Sequence, residues 1–360
     1  MRNNFCFILN DSFREKNKGN ILKMKKYIIL ITAILVLLLS GCAKRNTPWQ
    51  NEDILTLNKQ IQVVGDPLDI AFDNENIYVA LDQGGISIIN NANYSQKWYT
   101  MLTSSDESTV PLFKIRKVGV VGEYHRLFLN ETDATDRIEI IDNSNLDSLR
   151  IIDSITGATQ DIQDMKVQKI ANPVDDNVIE IIYSAGRNVH YGKYNGELWL
   201  GSTFSIYPPA SASGIDFDDS YIYVAAEQRG LLIYDRNSLE MISEIAIPGE
   251  AQKVKVVGNY AYLACRQGGF TIVNIADKNE PLLMSNFDTT GYATSIDVKG
   301  NYAVVSSGGG GIYLFDVSSP SNPLLKQNIT SAGYTNNAKF YNNLLIVAAR
   351  DEGILIYEMD

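Results

Sequence analysis

A closed ring of four-stranded, all-β repeats is the fold this sequence predicts, and three observations predict it. Five segments superimpose without a gap, 80–86, 225–231, 264–270, 306–312 and 348–354. Each opens on Ala or Ser, has glycine five places later and then an aliphatic or aromatic residue. Gly230, Gly269, Gly311 and Gly353 stand 39, 42 and 42 residues apart, a period that belongs to solenoids, propellers and arrays. Each period also divides into four short β-branched and aromatic runs separated by turn chemistry, with no helical periodicity. Four strands in about 42 residues make one propeller blade.

The amino-terminal segment stands apart from the repeats. Lys25-Lys26 precede an apolar run over 27–39 that ends in Leu39-Ser40-Gly41-Cys42. A basic start, a short apolar stretch and small residues before a cleavage point describe a secretory signal. Thirteen residues at about 1.5 Å each are too short for a hydrocarbon core of roughly 30 Å. The Leu-Ser-Gly-Cys ending resembles a bacterial lipobox, which implies cleavage before Cys42 and acylation of that cysteine. Residues 1–41 are therefore read as signal peptide, with 1–23 an untranslated extension because Met24-Lys25-Lys26 is a natural start. Residues 42–51 are a lipidated tether and 52–360 the propeller. Removing 1–41 leaves Cys265 as the one cysteine besides Cys42, so no disulfide can form within the propeller. Cys265, at a strand end, is read as a small buried residue.

A strand over 54–65 follows the tether and has no blade of its own, whereas the last blade stops after its third run, 354–357. Pairing the two completes the ring and removes an exposed sheet edge. Counting by the buried residue of each first strand gives seven blades: Ile70, Val118 or Val120, Val167, Ile215, Val254, Ile296 and Ala338. The second and third blades are degenerate. Arg137-Ile138 replaces the Gly-Ile step, and Gly186-Arg187-Asn188 adds a turn before the strand at 198–200. Both are nearer 49 residues and leave room for longer hairpins. The fold class is thus an all-β, seven-bladed β-propeller of four-stranded antiparallel blades, closed by an N-terminal strand pairing with the last blade.

Two units, Gly269-Phe270-Thr271-Ile272-Val273-Asn274-Ile275 and Gly311-Ile312-Tyr313-Leu314-Phe315-Asp316-Val317, are each followed shortly by a proline, Pro281 or Pro323. They resemble the LVIVD repeat family of bacterial secreted and lipid-anchored propellers. The resemblance is good over 212–360, fair over 64–90 and poor over 110–205. It implies a surface or periplasmic propeller and no single activity.

Charge and motif content narrow the function classes. The net charge is −11, and because residues 1–41 hold seven Lys/Arg and two Asp/Glu, the remainder carries −16. An acidic surface argues against nucleic acid. His125 and His190 are the two histidines and read as ordinary strand or turn residues. No zinc ligand set, nucleophile elbow or phosphate-cradling loop occurs. Asp133, Asp136 and Asp142 lack the glycine and terminal glutamate of a calcium hand loop. No cofactor, metal site or catalytic residue is therefore assigned.

Loops between second and third strands, together with those between blades, form the face on which propellers generally bind. That face collects Asp82, Gln83, Glu227, Arg229, Arg266, Gln267, Arg350 and Asp351, with Tyr292 and Tyr334 from the inter-blade loops. Aromatic residues beside arginines suit a polar ligand or a peptide edge. The expected function is a lipid-anchored envelope module that binds a protein or polysaccharide partner. Outer-membrane placement is favoured because Ala43, not aspartate, follows Cys42. The alternative is a hydrolase or lyase with carboxylates and a metal on the axis, for which Asp133 and Glu180 are the candidates. A structural envelope subunit is a third reading.

Overall fold

The computed structural model describes residues 51–132, 136–158, 160–170 and 178–359. The signal segment, Cys42 and Asp133 lie outside these residues.

Each blade is built from short strands whose middle members are buried on both faces. In Tyr302–Ser306 and Ile312–Asp316 four consecutive residues are buried, while in the outer strand Leu324–Ile329 only Gln327 is. A strand covered on both faces reads as a continuous apolar run, as in any sheet sandwiched between neighbours. Here the neighbours are the adjacent blades: one hydrophobic cluster joins Phe270 and Ile272 of one sheet to Val305 and Phe315 of the next.

Seven such sheets follow one another in chain order. Blade 1 comprises Asp69–Phe72, Asn76–Ala80, Ile86–Asn90 and Gln96–Tyr99; blade 2, Lys114–Val121, Arg126–Thr132, Asp136–Asp142 and Arg150–Ala158. Blade 3 comprises Ile162–Lys169, Ile179–Ala185, Asn188–Tyr194 and Trp199–Ile206; blade 4, Gly214–Phe217, Tyr221–Ala225, Leu231–Asp235 and Met241–Ile245. Blade 5 holds Lys253–Val257, Tyr260–Ala264, Phe270–Asn274 and Leu282–Phe287; blade 6, Ser295–Lys299, Tyr302–Ser306, Ile312–Asp316 and Leu324–Ile329. Blade 7 holds Thr335–Tyr341, Leu344–Ala349 and Gly353–Met359. Its fourth strand is Leu55–Ile61, antiparallel to Gly353–Met359 from Leu55↔Met359 to Ile61↔Ile354. The ring therefore closes as expected, with Leu55 and Ile61 buried in the seam.

The recurring glycine has a steric cause. Gly311 has φ +76°, and a Cβ there would lie 2.2 Å from the Ile329 carbonyl oxygen of the fourth strand. Gly353 repeats this geometry at φ +79° against the Ile61 oxygen at 2.4 Å. The amino-terminal strand thus stands where other blades place their own fourth strand.

The degenerate blades differ from expectation in two details. A hairpin of Met101–Thr103 and Thr109–Pro111 extends blade 2 to six strands by touching its outer strand in parallel, Arg150↔Thr103. Val118, not the half-buried Val120, fills the core position there. In blade 3 the fully buried position is Met165, and Val167 is only half-buried. A register shift between Ile162 and Asp164 moves the alternation by one residue.

Candidate functional site

The first strand of each blade is paired on one side only, and first strands of neighbouring blades lie against one another. They therefore surround the axis. Register sets one residue of each strand at an equivalent level: Asp69, Lys117, Asp164, Gly214, Lys253, Ser295 and Asn337. Each lies opposite a second-strand residue, such as Ala80, Ala225, Ala264 and Ser306, that opens the repeat motif. Two residues further along come Lys166, Asp216, Lys255, Asp297 and Lys339 of five blades. Two levels of charged side chains thus face one another across the centre.

The carboxylates have structural duties. An edge strand leaves N–H groups without a ladder partner, and in four places an axial aspartate of one blade accepts one from the next blade. Asp69 accepts from Val118 N–H (3.2 Å), Asp164 from Ile215 N–H (3.0 Å), Asp216 from Val256 N–H (2.7 Å) and Asp297 from Phe340 N–H (2.8 Å). Asp69 also accepts from Asn337 Nδ2 at 2.7 Å and pairs with Lys339 at 3.1 Å. Asp164 pairs with Lys253 at 2.8 Å, across the intervening blade 4. That reach depends on Gly214, where a Cβ would meet the Lys253 Cα at 2.7 Å.

Electrostatics follow from this crowding. Burial alone would raise the Asp69 and Asp164 carboxyls, but the surrounding lysines outweigh it and hold both below the ordinary range. Burial would lower Lys166, yet Asp164, Asp216, Asp69 and Asp297 overcome that and raise it. Carboxylates from blades 1, 3, 4 and 6 acting on one ammonium group place Lys166 near the axis. Burial pushes Lys253 down to about 7; Asp164 opposes the shift and Lys117 and Lys166 reinforce it.

The ring opens at the face carrying the starts of the first strands. A cavity of about 250 Å³ is lined there by residues of all seven blades, among them Arg116, Lys117, Lys253, Gln163, Ser213, Gln252, Ser295 and Asn336. A second cavity of about 610 Å³ shares Gln252 and Thr294 with it and is lined by Glu250, Arg266, Gln267, Tyr292 and Tyr334.

The loop residues singled out from the sequence fall on this same face. Asp82, Glu227 and Arg266 adopt left-handed φ of 50°, 45° and 44°. Each exchanges backbone hydrogen bonds with the next blade, at Ile115, Ala251 and Ala293. The loops are thus fastened, which fixes where their side chains project. Arg266, Gln267, Tyr292 and Tyr334 line the larger cavity, and Tyr292 is 58% exposed. Arg266 pairs with Glu250 at 2.7 Å, and Arg350 lies over the Tyr334 ring at 4.2 Å. Arg229 turns outward to Glu244, away from that cavity. Gln83 and Asp351 are exposed at loop tips, and Asp82 and Glu227 are half-buried.

Other candidates resolve into structure. His125 caps a short turn with φ 50°, and His190 stacks on Tyr183 and meets Ser205 Oγ at 2.8 Å. Burial lowers the His190 imidazole. Cys265 is fully buried, its thiol raised to about 12 by burial and set 3.5 Å from Thr271 Oγ1. Glu180 sits on the second strand of blade 3, not the first, and is bound by Gln168 Nε2 (2.8 Å), Tyr191 and Arg236. It is an inter-blade contact, not an axial carboxylate. Among the described residues no three His, Cys, Asp or Glu side chains are placed to hold a metal ion.

Sequence reasoning missed the axial charges. Their signal was a charged residue flanking the core residue of successive first strands, as in Asp69-Ile70, Lys117-Val118 and Lys253-Val254-Lys255.

The fold and this axial face define a seven-bladed β-propeller. The chain carries two adjacent LVIVD repeats, over 248–289 and 290–331, which are the fifth and sixth blades. A crystal structure of the computationally designed Ika8 protein is similar in fold, with a TM-score of 0.57 at 11% identity. The match covers 83% of this chain and 98% of that one. No curated protein matches the chain.

Proposed function

We propose that this protein is a lipid-anchored module of the bacterial envelope, held through Cys42, whose propeller binds a protein partner or an extracellular polymer. The binding face is the one on which the axial mouth and the 610 Å³ cavity adjoin. The observation that carries this reading is that cavity. It presents Tyr292, Tyr334 and Arg266 on loops fastened by backbone bonds to the next blade. Aromatic rings on a rigid support, Tyr292 exposed and Tyr334 half-buried under Arg350, give contact area with little ordering cost. Outer-membrane placement accords with Ala43 after the cysteine.

The hydrolase alternative needs carboxylates converging on an ion. The described axial aspartates instead alternate with lysines and accept backbone N–H groups, which favours binding over metal-assisted chemistry.

The experiment is a pull-down from solubilised envelopes with wild-type protein and the triple variant Arg229→Ala, Arg266→Ala, Arg350→Ala. A Cys42→Ser control is followed by fractionation. The variant is expected to lose its partners at least tenfold while melting like wild type, and Cys42→Ser to leave the membrane fraction. Unchanged partners with an intact fold remove this face from consideration, and a membrane-bound Cys42→Ser removes the anchor.

A further inference from the structure

The axial mouth has a chemistry of its own, distinct from the aromatic cavity beside it. Three axial ammonium groups, those of Lys117, Lys166 and Lys255, have no carboxylate oxygen within 4.0 Å among the described residues, whereas Lys253 and Lys339 each have one. The nearby aspartates are occupied with backbone N–H groups and those two lysines. An anion entering the mouth would therefore meet the unpaired Lys117 ammonium, which lines it, inside a chain that is acidic as a whole. None of the residues lining this cavity is a carboxylate.

Shape and the neutral lining narrow the ligand. Lys117, Lys253 and Arg116 supply the cations. Ser213, Gln163 and Gln252, from three blades, supply hydroxyl and amide groups able both to donate and to accept. Arg116 is already held by Asp161 at 3.0 Å, so it adds field more than contact. The cavity of about 250 Å³ holds roughly eight waters at ~30 Å³ each, which limits the occupant to about one sugar ring. The geometry points to a sugar acid as the ligand: a carboxylate set on Lys117, with Lys253, already held by Asp164 and the Gln163 and Ser213 carbonyls, adding field, and ring hydroxyls on the surrounding amides. This deepens the reading of this face as a binding face and uses different side chains from the arginine loops. The carboxylate can belong to a free uronic acid or to the end of an acidic polysaccharide, whose next unit would extend past Gln252 and Thr294 into the larger cavity.

Lys253 adds a signature. Its amine is held near 7 by burial and by Lys117 and Lys166, with Asp164 opposing. An incoming carboxylate favours the ammonium form, so binding at pH 8 takes up protons.

The test is calorimetric titration of the full-length protein with D-glucuronate, D-glucose, acetate and a short oligogalacturonate, in two buffers of different ionisation enthalpy. Lys117→Gln, at the mouth, and Lys166→Gln, on the inner level among the axial aspartates, serve as variants, with circular dichroism and melting as fold controls. Glucuronate is expected to bind with proton uptake, glucose to give no signal, and Lys117→Gln to weaken binding at least tenfold with an unchanged melt. Tighter binding of the oligomer than of glucuronate assigns the ligand to a polymer end; equal binding assigns it to the free acid. Absence of binding by both acids, binding of glucose equal to glucuronate, or an unaltered affinity in both lysine variants overturns the proposal. Loss of partners in the arginine triple variant is read separately, so either idea can fall alone.

Discussion

Deleting residues 52–61 is expected to abolish cooperative folding. Those residues supply the fourth strand of blade 7, and without them Gly353–Met359 becomes a bare edge. Leu55 and Ile61, at 4% and 7% exposure, each contribute about 1.5–3 kcal/mol by burial. The paired registers add backbone hydrogen bonds worth ~1 kcal/mol apiece. Together these approach the ~5–15 kcal/mol margin of an ordinary domain. A second loss compounds the first, because Gln327 of blade 6 bonds both the N–H and the carbonyl of Leu55, at 2.7 and 3.0 Å. The uncovered strand Gly-Ile-Leu-Ile-Tyr is also an apolar pairing template. Size-exclusion chromatography should show aggregates and calorimetry no sharp transition. A monomer melting within a few degrees of wild type would mean that the strand is an ornament.

The second large effect concerns the axial ion pair. Asp164→Asn strips the charge partner from Lys253 and weakens the bond to Ile215 N–H. Breaking a buried pair from one side costs at most about 3–5 kcal/mol when the remaining charge is left uncompensated, and less above pH 7, where Lys253 can shed its proton. The double variant Asp164→Asn, Lys253→Met removes both charges and should recover a substantial part of that loss, a coupling of ~1–3 kcal/mol. Urea denaturation of the four proteins measures it. The groups facing Lys253 are Asp164, Lys117, Lys166 and Asp69. Its folded pKa of about 7 lies below the ordinary 10.5, so between those values the unfolded chain binds more protons there. Its contribution to stability therefore rises with pH from about 7 towards 10.5. Lys253→Met should flatten that rise relative to wild type. Strict additivity of the two substitutions, or an identical pH slope in Lys253→Met, contradicts the axial pairing.

Repeats make a fold legible because they report the same physical constraint many times. The small residue, the glycine at left-handed φ and the aliphatic residue recur since each blade must pass its third strand beneath the carbonyl of its fourth. The missing fourth strand in blade 7 and the spare strand near the amino terminus were two halves of one deduction. Blade 3 buries Met165 where the sequence suggests Val167, two residues further along the same face, and the register shift between Ile162 and Asp164 that precedes it leaves no mark in composition.

The site was less legible for a reason of geometry. Along a single first strand, Asp69, Lys117 or Lys253 looks like the solvent side of an amphipathic edge. Only the closed circle turns those seven positions into one shared interior, and the cross-blade reach of Lys253 over Gly214 has no local signature. The loop residues were easier, since hairpin tips project wherever the strands end. Even so, chain position could not show that Arg266 and Tyr334 share a cavity while Arg229 turns to Glu244.

Circular closure is the claim on which the axial site depends, and a cross-link tests it directly. Thr56 and Glu358 are exposed partners in the seam, within the ~4.5–5.5 Å Cα separation of antiparallel neighbours that a disulfide can span. Thr56→Cys, Glu358→Cys protein, oxidised mildly and digested, should yield one linked peptide pair within a monomer and run faster on a non-reducing gel. Disulfide-linked dimers alone, or both introduced cysteines left as free thiols in folded protein, would show the ring to be open.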